Sequence, residues 1–69
     1  MKQVEEQITY KNELLNVSYS CDLNNQNTKI KYFAHLSIKD TDGFDIQEIY
    51  DGNELSELIN LTFNQRFNR

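Results

Sequence analysis

The sequence predicts an α+β fold: an antiparallel β-meander of three to four strands, then one C-terminal amphipathic helix packed on the sheet, in the order β-β-β-β-α. Three observations predict it. Apolar and polar residues alternate with period two through most of residues 7–50, the mark of half-buried strands. Clusters rich in Asn, Asp or Gly interrupt the alternation. After Asp51 the apolar spacing lengthens to that of a helix.

Residues 1–6 are polar and read as a frayed leader, so the first strand is expected from Gln7, with Ile8 and Tyr10 on one side. Asn12-Glu13 is read as the following turn, without the glycine that usually marks a hairpin. The second strand is the clearest. Leu15, Val17, Tyr19, Cys21 and Leu23 share one face, and Asn16, Ser18, Ser20 and Asp22 the other. Asn24-Asn25-Gln26-Asn27 turns the chain, since asparagine tolerates left-handed backbone angles. In the third strand Ile30, Tyr32, Ala34, Leu36 and Ile38 are assigned to the core, and Lys29, Lys31, Phe33, His35, Ser37 and Lys39 to the outer face. Asp40-Thr41-Asp42-Gly43 forms a turn. A fourth, less regular strand then sets Phe44, Ile46 and Tyr50 against Asp45, Gln47 and Ile49.

Asp51 with Glu54 three residues on has the spacing of a capping box, Asn53 being a rival cap. Leu55, Leu58, Ile59, Thr62 and Phe63 form an apolar helical stripe. Glu54 and Glu57 near the helix start and Arg66 near its end complement the helix dipole. The helix should cover Leu15, Val17, Tyr19, Tyr32, Leu36 and Ile38.

A chain of 69 residues makes a single domain, 1–69, close to the lower size for independent folding. It has little room for a deep substrate cleft. With one cysteine, Cys21, no internal disulfide and no cysteine-rich metal site can form, which fits a reducing, cytoplasmic setting. The N-terminus has no apolar segment of the signal-peptide kind, and no run has the length of a membrane span.

Charge is segregated. Residues 1–39 carry five lysines against four acids, whereas Asp40, Asp42, Asp45, Glu48, Asp51, Glu54 and Glu57 follow without a lysine or arginine until Arg66, and account for the net charge of −4. Acids in turns and at a helix start have structural and solubility uses. A continuous acidic face would also steer a basic partner and repel nucleic acid.

Other constellations are weaker. Asp40-x-Asp42-Gly43-x-Asp45 fails the EF-hand pattern, because its sixth and twelfth positions hold Asp45 and Asp51 where Gly and Glu are needed. Neither a metal site nor a cofactor is expected. Lys29, Lys31, Phe33, His35 and Lys39 interleave bases with an aromatic ring, the ingredients of a single-stranded nucleic-acid platform, and Phe33 could equally serve a homodimer. His35 is the one histidine and Cys21 lies in an apolar series, so neither implies a catalytic group, and no enzyme activity is expected.

In size, acidic second half and lack of catalytic groups the chain resembles the small acidic inhibitors of phages and mobile elements, anti-CRISPR and anti-restriction proteins among them. Immunity proteins and antitoxins share those features. The resemblance implies a protein that occludes a nucleic-acid-binding surface in the host cytoplasm, and it assigns no residue a role. The leading expectation is a non-enzymatic inhibitor or adaptor that presents the acids of residues 40–57 to a basic site on a larger protein. The alternatives are the nucleic-acid module, an immunity or antitoxin protein, and a structural homodimer.

Overall fold

The computed structural model of the chain describes residues 1–67. Its first unit is a hairpin of β1, Lys2–Tyr10, and β2, Glu13–Leu23. The turn is Lys11-Asn12, one residue earlier than expected. Both residues take positive φ, 50° and 68°, as a two-residue type I′ hairpin turn demands. The register Tyr10↔Glu13, Ile8↔Leu15 and Val4↔Tyr19 follows from that turn and puts Val4, Ile8 and Tyr10 on the face of Leu15, Val17, Tyr19 and Cys21. Residues 2–6 are therefore strand and not a frayed leader. Val4 is fully buried, and the acidic pair Glu5-Glu6 that follows it hides the alternation in the sequence.

Asn24 closes the second connection. Its Oδ1 accepts the N–H groups of Thr28 (2.9 Å) and Lys29 (3.3 Å), and Asn27 takes φ 58°. β3, Ile30–Lys39, then pairs antiparallel with β2, completing a three-stranded sheet of order β1-β2-β3.

β3 departs from the expected alternation. Ser18 pairs with Ser37, yet Ser20 pairs with Ala34, so His35 and Leu36 together oppose Tyr19. This is a β-bulge, with His35 at φ 59°. A second irregularity lies between Asp22↔Tyr32 and Leu23↔Ile30. One extra residue moves every side chain beyond it to the other face. Ile38 and Leu36 stay on the core side, but Phe33, opposite Cys21, now joins them. Tyr32, opposite Asp22, and Ala34, opposite Ser20, go to the open face. The core assignment of Tyr32 is thus corrected: the residue is 51% exposed.

No fourth strand forms among the described residues. Residues 40–46 make one isolated bridge, Lys39↔Asp45, and one bond from the Ile46 N–H to the Ile38 carbonyl (2.8 Å). Asp40 explains the interruption: its Oδ1 accepts the N–H groups of Asp42 (2.9 Å) and Phe44 (3.0 Å), curling the backbone while Gly43 takes φ 86°. Asp45 Oδ1 accepts the Gln47 N–H at 3.0 Å, and a 3₁₀ turn, Gln47–Ile49, follows.

Helix α1, Gly52–Phe67, begins with the expected capping box. Asp51 Oδ1 accepts the Glu54 N–H (2.8 Å), and Glu54 Oε1 accepts the Asp51 N–H (3.1 Å). Leu58, Ile59, Thr62 and Phe63 are buried against the sheet. A hydroxyl pair fixes the helix there. Fully buried Tyr19 lies 3.1 Å from Thr62 Oγ1 and donates to the Ile59 carbonyl at 3.2 Å, while Thr62 bonds back to the Leu58 carbonyl at 2.8 Å. Burying these polar groups is tolerable because each has a partner. At the other end, Lys11 in the hairpin turn bonds Glu54 (2.6 Å) and Tyr10 donates to Glu57 (3.0 Å), so the first turn of α1 sits against the β1–β2 turn.

Candidate functional site

The acidic segment lies between the C-terminal end of β3 and the second turn of α1. Most of its carboxylates have local work. Asp40 and Asp45 shape the turns, Asp51 and Glu54 cap the helix, and Glu57 accepts the Tyr10 hydroxyl. The Lys11 ammonium beside Glu54, with the Asp51 N–H, holds that carboxyl below its usual pKa, and the same contact raises Lys11. Burial, then the Glu57 contact, pushes the Tyr10 phenol up. Asp42 and Glu48 are exposed. A carboxylate that caps a turn still carries its charge, so the segment stays negative along its length.

What sequence reasoning missed here is apolar. Phe44 is 69% exposed and Ile49 65%, while Ile46 between them packs on the core. A fourth strand would have placed Phe44, Ile46 and Tyr50 on one face and Ile49 on the other, so the exposed Phe44 is the departure. The 3₁₀ turn still leaves Ile49 outward and Tyr50 inward, where its ring meets Tyr10 edge-on at 5.9 Å between centroids. The detectable signal was Asp45, two residues before Gln47, a spacing suited to an Asx turn. Beside these residues is an open depression of about 620 Å³ lined by Asp45, Gln47, Glu48, Tyr50 and Leu55.

The basic set does not form one stripe. The bulge puts Phe33 on the helix side, where its ring meets Tyr19 edge-on at 6.3 Å, whereas Lys39 pairs with Asn16 on the open face. His35 is exposed at the bulge itself. Lys29, Lys31 and Phe33 do come together, in a groove of about 740 Å³ between β3 and the Ile59–Phe63 side of α1.

Cys21 is fully buried, and burial, reinforced by Asp22, raises its thiol pKa, the reverse of what a nucleophile needs. Among the described residues no group of three or more His, Cys, Asp or Glu side chains could hold a metal ion, and no helix is long and apolar enough to cross a membrane. No protein-family model, curated protein or solved structure matches the chain.

Proposed function

We propose that the chain is a non-enzymatic protein-binding module that seats Phe44 and Ile49 in an apolar depression of a larger protein, with Asp42, Asp45 and Glu48 meeting basic side chains around it. The observation that carries this reading is the position of the two most exposed large apolar side chains, Phe44 and Ile49, inside the acidic segment. Solvent-facing acids need no apolar company to keep a protein soluble. A recognition site uses both: buried aromatic or aliphatic anchors supply the energy, and charges at the rim guide encounter and orientation. An inhibitor or adaptor role in the cytoplasm follows, the target being a surface that ordinarily attracts phosphate. An anti-defence protein of a phage or mobile element would act in this way.

The test is parallel capture from lysate of the source cell on immobilised wild type, Phe44→Ser/Ile49→Ser and Asp42→Lys/Glu48→Lys. One protein should be retained by wild type, lost from both variants, and released as salt screens the rim charges. Equal retention on all three baits would overturn the reading, provided circular dichroism shows the variants folded.

A further inference from the structure

The groove beside β3 has a chemistry unlike that of the acidic segment. Its floor is apolar, from Ile30, Phe33, Ile59 and Phe63, and among the described residues its charged lining is Lys29 and Lys31, with no carboxylate. Phe33 is 44% exposed there, because α1 lies over β1 and β2 and leaves the first half of β3 uncovered. β3 is also an edge strand. Among the described residues, the main-chain bonds that reach it from outside the sheet fall at its last residues, Ile38 and Lys39, where 45–46 pair with it. Along residues 30–36 no main-chain bond from another described residue outside the sheet reaches the strand.

An apolar channel flanked by an unpaired strand edge is what a peptide needs to add as a further strand: main-chain bonds give affinity, and alternate side chains enter the channel. From this geometry we infer that the groove binds an extended, acidic segment of a partner protein, paired along residues 30–36 with its apolar side chains over Phe33 and its carboxylates at Lys29 and Lys31. Charge selects this occupant. A second copy pairing through β3 would bring Lys29, Lys31 and Lys39 against one another, since β3 and its flank hold no acid before Asp40. A single-stranded nucleic acid needs neighbouring rings on one face for successive bases, whereas strand alternation sets Tyr32, opposite Asp22, and Phe33, opposite Cys21, on opposite faces.

The probe is a short, end-blocked peptide alternating glutamate with leucine, titrated into isotope-labelled protein and followed by amide NMR. Shifts should cluster at residues 29–33 and at Ser56 and Asn60 on α1. Lys29→Glu/Lys31→Glu should weaken binding roughly tenfold or more, as should Phe33→Ala. Methylating alternate backbone nitrogens of the peptide should do the same, which a merely electrostatic contact would not show. Phe44→Ser/Ile49→Ser should leave this binding unchanged, so failure of the groove and failure of the acidic segment are read separately. The inference is overturned by an absence of shifts at millimolar peptide, by equal affinity for a lysine–leucine peptide, or by undiminished binding of the methylated peptide. Tighter binding of oligothymidylate, or a concentration-dependent dimer lost in Phe33→Ala, would also overturn it.

Discussion

Between Lys2 and Leu23 every opposed pair of residues keeps to its face, and the hairpin needs only a two-residue turn to do so. Between Phe33 and Asp51 the chain changes rule at each step: a bulge, an Asx turn, a single bridge and a 3₁₀ turn follow one another. The first region buries its large apolar residues apart from Leu14 beside the turn. The second exposes Phe33, Phe44 and Ile49. Regular pairing uses up both the apolar face and the backbone groups of a strand, so what is left for partners collects where pairing breaks down.

Substitution should separate the two regions by stability. Tyr19→Ala removes a fully buried ring and both hydroxyl bonds to α1. Loss of a buried aromatic side chain costs about 3–5 kcal/mol, as much as a domain of this size has in total, about 3–5 kcal/mol. Tyr19→Ala should therefore be unfolded by circular dichroism at room temperature. Phe44→Ala and Ile49→Ala should stay within about 0.5 kcal/mol of wild type in urea, as surface positions do. A large loss at Phe44 would mean that it packs within the fold and is not a contact for a partner.

The bulge sets which face Phe33 occupies, and His35 is its weak point. A side chain at φ 59° is unfavourable, though histidine bears it better than most residues. A β-branched side chain suffers most there. His35→Val should cost roughly 1–2 kcal/mol, and His35→Gly should gain a few tenths to about 1 kcal/mol by relieving the strain. If both variants melt with wild type, the left-handed bulge is wrong, and Phe33 belongs with the lysines as first read from the sequence.

The contrast also explains what could be read in advance. Leu15, Val17, Tyr19 and Cys21 alternate without interruption, and Asp51 with Glu54 has the spacing of one structural device, so β2 and the start of α1 are legible. In Phe33-Ala34-His35-Leu36 the alternation continues on paper. The bulge arises from the register against β2, which no residue in β3 announces, and histidine takes the place where glycine would have flagged it. Of the acidic segment the charge and the outward side of Ile49 were legible, and the exposure of Phe44 was not. That exposure depends on Asp40 and Asp45 turning their oxygens to the backbone, which ends strand pairing after one bridge.

The capping box gives a smaller effect on the regular side. Asp51→Ala leaves the Glu54 N–H without its carboxylate and should cost about 1 kcal/mol, with urea unfolding as the measurement. Asp51→Asn, which keeps an acceptor oxygen, should recover most of it.

The smallest effect belongs to the contact that joins the hairpin turn to the acidic segment. Lys11 and Glu54 are 2.6 Å apart, with Glu54 lowered and Lys11 raised in pKa. For Glu54 the unfolded chain binds its proton more readily than the folded one. Its contribution is thus present above the ordinary glutamate range, about 4.3, and is lost as pH falls through the lowered folded value. Lys11 has the opposite sign: its contribution is present below the ordinary lysine range and lost as pH rises through the raised value. Both groups reach solvent, so the effect is small and screened by salt. Urea midpoints should be level near neutrality and fall at both extremes, and Lys11→Met should flatten the part that added salt removes. If Lys11→Met leaves the pH profile unchanged at low salt, the turn and the helix are held together by Tyr10 and its contacts with Glu57 and Tyr50 alone.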